Sequence, residues 1–152
     1  MHKKGVTLIE LIVVMVIIGI LAAFLAPNIG AWLPNLRLRS AARDIVSTMR
    51  TAQMKAVSTN MTYRVSFTQT PPSYVLQYEN PPAGSGNWIT EGASQAFPSG
   101  VSIAAITIAG NNAVFNPNST SSTGSLTLQN TKGTQRRLTL TPSTARVTIT
   151  TP

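Results

Sequence analysis

The sequence predicts an α+β protein: a long N-terminal helix, apolar in its first half and amphipathic in its second, packed on an antiparallel β-sheet head. Three observations predict it. Leu11 to Ala26 carries no charged or strongly polar side chain. Leu38, Ala42, Ile45, Met49, Ala52 and Ala56 then recur at alternating spacings of four and three, the apolar stripe of a helix lying on a core. Beyond Asn60 the period changes to two, which is the mark of strands with one buried face.

The first stretch runs Gly5-Val6-Thr7-Leu8-Ile9-Glu10-Leu11 and stays apolar to Ala26, broken only by Gly19. With Val6 to Ile9 it reaches the roughly 20 residues that a helix needs to cross a bilayer core. Glu10 is the one charge near its start, and a carboxylate inside a span costs several kcal/mol, which marks it as a functional candidate. Two general readings compete. A cleaved secretory signal also begins with basic residues, but its apolar core is shorter, and Ala22-Ala23-Phe24 and Leu25-Ala26-Pro27 are imperfect cleavage sites. A plain membrane anchor would merely tolerate Glu10 near the interface.

The residues Lys3-Lys4-Gly5-Val6-Thr7-Leu8-Ile9-Glu10-Leu11 resemble the processing signal of type IV pilins and type II secretion pseudopilins, and Pro27 falls where that family often has a helix-kinking proline. The resemblance implies a pilin-like fold and a leader, residues 1–5, that prepilin peptidase removes by cutting between Gly5 and Val6. It implies methylation of the new amino terminus at Val6, where the family most often has Phe. It implies a membrane and filament-core helix over 6–27, an amphipathic half over 28–60 and a β-rich head over 61–152. Glu10 would pair with the Val6 amine of a neighbouring subunit and set register, since a mismatched register leaves both charges buried and unpaired. The leader would be cytoplasmic and the head periplasmic, on a single pass of a bacterial inner membrane, before the subunit enters a pilus or pseudopilus. Charge counting alone does not give that orientation: Lys3 and Lys4 precede the span, whereas Arg37, Arg39, Arg43 and Arg50 follow it.

Further along, Pro34 interrupts the backbone hydrogen bonding of the predicted helix and makes, with Pro27, a kinked zone between anchor and head. Arg39, Arg43 and Arg50 project to one side of the apolar stripe, and Asn60 is a stop signal. Strands are expected at 62–67 and 73–78 around a Pro71-Pro72 turn, at 101–108 and at 113–115. Asn80 to Gly86 is a loop, and Asn116 to Gly124 a polar, mobile one. Residues 125–128, 137–140 and 146–149 alternate cleanly and form a meander turning at Lys132-Gly133 and Pro142-Ser143. Trp32 reads as an interface anchor and Trp88 as a packing residue. Pro34-Asn35-Leu36, Ser40-Ala41-Ala42, Phe115-Asn116-Pro117 and Arg136-Arg137-Leu138 resemble the GspH/FimT branch of minor pseudopilins and minor pilins.

Composition narrows the function. The chain has 152 residues, no cysteine and one histidine, His2, which lies in the leader. Serines and threonines abound without a base to activate them, and no cluster suits zinc or another metal, so the inventory argues against an enzyme and against a cofactor. The expected role is a structural and assembly subunit, with other pilins or pseudopilins, prepilin peptidase and the inner membrane as partners. The alternative comes from the net charge of +8. Lys132, Arg136, Arg137 and Arg146, clustered at one edge of the C-terminal sheet, would attract the phosphates of double-stranded DNA in a DNA-uptake pilin. Against it, Arg136 and Arg137 are adjacent and should face opposite ways in a strand. Ala145-Arg146-Val147-Thr148 also lacks the Gly-Arg-x-Arg of some DNA-binding members of the branch.

Overall fold

A computed structural model describes residues 5–25, 29–82 and 84–151. The chain divides into two compact units, Met1–Leu33 and Pro34–Pro152.

The first unit contains α1, Leu8–Leu25, and the start of α2, Ile29–Thr59. Apolar residues occupy every side of α1, and the large ones from Leu8 to Leu21 are all exposed. Among the described residues no helix is long and apolar enough to cross a membrane. The kink expected at Pro27 lies outside the described residues. Pro34 stands inside α2, at the division between the units.

The second unit is built around the rest of α2. The stripe of Leu38, Ala42, Ile45, Met49, Ala52 and Ala56 is buried, and Ala41 and Val46 widen it. The helix stops at Thr59 because Asn60 takes the left-handed conformation, φ 55°, which an asparagine tolerates and which ends the hydrogen-bond ladder.

The head carries two four-stranded antiparallel sheets rather than one. The first contains β1 (Tyr63–Thr68), β2 (Ser73–Glu79), β3 (Trp88–Ala96) and β5 (Asn112–Phe115), in the order β3-β2-β1-β5. The second contains β4 (Val101–Ile106), β6 (Gly124–Asn130), β7 (Gln135–Thr141) and β8 (Arg146–Thr150), in the order β4-β6-β7-β8. Alternate residues enter a core shared with α2: Tyr63, Val65 and Phe67 from β1, Leu126 and Leu128 from β6, and Leu138 and Leu140 from β7. Leu126 stands directly opposite Leu138, and Leu138 opposite Ile149, so these three share the inward face.

Three expectations need correction. The strand begun at Val101 stops at Ile106, not 108, because a 3-10 turn at Ala109–Asn111, with Gly110 at φ 60°, redirects the chain. Residues 116–124 are pinned rather than free: Asn116 N–H donates to Thr120 O at 2.9 Å, Ser122 N–H to Val114 O at 2.9 Å, and Ser121 N–H to Pro142 O at 3.0 Å. β3 was not expected at all.

One tie joins α2 to the second sheet. Buried Asn130 donates from Nδ2 to Asn35 Oδ1 at 2.8 Å, while its own Oδ1 accepts the backbone N–H groups of Lys132 and Thr134. A single side chain thereby fixes the β6–β7 turn and the start of the packed helix.

Candidate functional site

At the start of α1, Gly5 and Val6 are exposed, as cleavage would require. Thr7 and Glu10 form a reciprocal cap. Thr7 N–H donates to Glu10 Oε2 at 2.9 Å, Thr7 Oγ1 donates to the same oxygen at 3.1 Å, and Glu10 N–H donates to Thr7 Oγ1 at 3.3 Å. Helix N-termini leave backbone donors unsatisfied, and a Thr followed three residues later by Glu satisfies two of them. Within this chain Glu10 therefore already has a local partner. Thr7 is a site residue that the sequence reading missed, although the Thr-x-x-Glu spacing was there to find.

The head is electrically one-sided, and its acids are occupied. Glu91 is paired with Lys55, Asp44 accepts from Ser40 Oγ at 3.3 Å, and buried Glu79 accepts the Gly86 N–H at 3.0 Å. The hydrogen bond that Lys55 donates to the Glu91 carboxylate raises the Lys55 pKa above its ordinary value. Burial raises the Tyr74 phenol above its own. Asp44, Thr48, Tyr74 and Glu91 line a groove between α2 and the first sheet, where Glu91 Oε2 is buried with no hydrogen-bond partner among the described residues.

Several cations are held as well. Arg37 donates to Ser99 O at 3.2 Å and to Ser99 Oγ at 3.0 Å. Arg64 donates to Gln77 Oε1 at 2.7 Å and stacks its guanidinium 4.0 Å from the Trp88 ring centroid. Trp88 is thus a packing residue, as expected, while Trp32 is 63% exposed.

The four basic residues proposed as a DNA-binding edge do not cluster. Arg136 lies opposite Leu128, on the inward face, and lines a cleft with Arg39 and Arg43 of α2. Arg137 is exposed on the outward face, opposite Thr127 and Thr150. Arg146 lines a different cleft with Arg50 and Gln53, and Lys132 sits in the β6–β7 turn. The cause is the pleat: consecutive strand residues alternate faces, so a run of basic residues is split between the two sides.

A long apolar helix with a capped start, followed by an α2-backed pair of antiparallel sheets, defines a pilin-like subunit. Comparison with known proteins makes this specific. Residues 1–26 match the prokaryotic N-terminal methylation motif, and residues 41–144 match the type II transport protein GspH. The chain belongs to the GspH family, whose members are structural pseudopilin subunits and not enzymes. Among solved structures it is similar to the minor pseudopilin EpsH from the type 2 secretion system of Vibrio cholerae. The two are 8% identical with a TM-score of 0.64, over 76% of this chain and 98% of that one, a likeness of fold. A search of curated proteins found no match. Neither the family nor the scattered basic residues supports the DNA-uptake alternative.

Proposed function

We propose that this chain is a minor pseudopilin, assembled with other pilin-like subunits into a type II secretion pseudopilus after processing by prepilin peptidase. The observation that carries the reading is the N-terminal unit, whose exposed apolar residues surround α1 and are left uncovered among the described residues. Apolar surface of that extent is stable only when something else removes it from water. In the free subunit residues 6–27 span the inner membrane, with the leader cytoplasmic and the head periplasmic. In the filament the same surface is covered by neighbouring helices.

Peptidase cleavage between Gly5 and Val6 frees an amine one residue before Thr7, where the Thr7–Glu10 cap begins. Glu10 then exchanges its local cap for the Val6 amine of an adjacent subunit and sets register. Co-production with a prepilin peptidase, followed by intact mass and N-terminal sequencing, tests the reading. The expected product begins at N-methylated Val6, and Gly5→Leu leaves the leader attached. An uncut wild-type chain, or a cut elsewhere, contradicts it. Glu10→Ala should leave membrane insertion intact and abolish incorporation; normal incorporation would sink the register role.

A further inference from the structure

We infer that the cleft between Arg39 and Arg43 of α2 and Arg136 of β7 is a docking site for a carboxylate-bearing segment of a different pilin-like subunit. The inference rests on the pseudopilin reading and names the chemistry of one of its partners.

The cleft, about 290 Å³ in volume, is lined by Arg39, Ala42, Arg43, Arg136 and Ile149. Arg39 and Arg43 stand one helical turn apart, where like charges repel. Arg136 is the more telling residue. It is half-buried, on the same face of β7 as buried Leu138 and Leu140, in a position that the rest of the strand gives to apolar side chains. Among the described residues none of the three guanidinium groups makes a hydrogen bond or an ion pair. A partly desolvated cation beside two like charges costs folding energy unless an anion meets it. Among the described residues no anion meets it, which leaves the cleft open to one from outside.

The acids of the head argue against a second copy as the source of the anion. Its three acids are Asp44, Glu79 and Glu91, and each is already hydrogen-bonded or ion-paired within its own fold. The partner is therefore a chain richer in exposed carboxylates. The walls favour a protein side chain over a polyanion. Ala42 and Ile149 line the cleft beside the arginines, and Ile149 is 38% exposed, which suits a carboxylate with apolar neighbours. Planar guanidinium forks also match carboxylates two bonds at a time. The cleft opens beside β8, one edge strand of its sheet, whose outer backbone groups have no strand partner among the described residues and offer an extended segment a place to lie.

The test uses the full chain in detergent, with hexaglutamate as the carboxylate probe and hexaglutamine as the neutral one. R39Q/R43Q/R136Q empties the cleft, and R50Q/R137Q/R146Q removes the same charge elsewhere. Hexaglutamate binding should weaken at least about ten-fold in the first variant and less than about three-fold in the second, while hexaglutamine binds neither. Equal weakening in both overturns the inference, since the general field of the protein then suffices. R136Q alone should raise the Tm of the unbound chain by roughly 2 °C or more, because it removes an unmatched charge. A lower Tm makes Arg136 a structural residue and overturns it too. A duplex DNA oligonucleotide that binds more tightly than hexaglutamate through the same three arginines overturns it in favour of phosphate.

A second arm co-produces the chain with prepilin peptidase and the companion pseudopilins. The R39Q/R43Q/R136Q chain should still be cut and methylated at Val6, yet copurify with at least about ten-fold less companion subunit. Normal copurification overturns the docking site alone. Failure of wild-type processing overturns instead the reading beneath it.

Discussion

Ile18 and Ile45 are the same residue in the same kind of secondary structure, yet Ile18 is 59% exposed and Ile45 is fully buried. The difference is one of pattern. Around α1 apolar residues occupy every side, and no single face of another element in the chain would cover them. Along α2 from Leu38 to Ala56 the buried ones form one stripe, which shares a core with residues of both sheets, while Met54 and Val57 stay exposed. Apolar surface with a helical period is a folding signal within the chain, whereas apolar surface without one demands a partner outside it.

The strongest way to break this contrast is to truncate one residue on each side. Leu128→Ala should lower head stability by about 2–5 kcal/mol, because it opens a cavity in a fully buried site. Ile18→Ala should change head unfolding by less than about 0.5 kcal/mol. Urea unfolding of the full chain in detergent reads both, and equal losses would erase the distinction.

Gly124→Ala sharpens the picture of the head. A Cβ there would stand 2.8 Å from the Ile108 Cα and 2.9 Å from its N, at φ +141°, so backbone must move. A cost of about 1–3 kcal/mol is expected in the same assay.

A smaller effect concerns alkali. Lys55 and Tyr74 both hold their protons more tightly in the fold than in the unfolded chain, whose ordinary values are 10.5 and 10.0. Their contribution is fully present below those values and is lost as pH rises past them. The Tm should therefore hold steady from about pH 7 to 9 and fall above about pH 10, less steeply in Tyr74→Phe. Lys55→Met should cost under about 1 kcal/mol, since its ion pair with Glu91 is more than one-third exposed.

Legibility in the sequence followed the same physics. The stripe of α2, the final meander and the N-terminal motif were readable because each depends on residues near one another in the chain. β3 was missed because Thr90-Glu91-Gly92-Ala93-Ser94 has little strand character and remains largely exposed. Its place comes from pairing with β2, which local sequence does not record. The division into two sheets was hidden for the same reason: β5 pairs with β1 and β4 with β6, across long intervals of chain. The opposed facing of Arg136 and Arg137 was readable from the two-residue period of a strand, but the true neighbours of Arg136 were not. The fold brings Arg136 to Arg39 and Arg43, roughly a hundred residues earlier, a pairing that local sequence does not record.

The most direct test of the central claim exploits the absence of native cysteines, which makes single-cysteine labelling unambiguous. Val16→Cys lies in the exposed apolar surface of α1, and Ser143→Cys in an exposed turn of the head. Membranes carrying the full chain are treated with a membrane-impermeant maleimide before and after detergent. The account predicts that Ser143→Cys labels at once from the periplasmic side, and that Val16→Cys is protected until detergent is added. Equal and immediate labelling of both would contradict it.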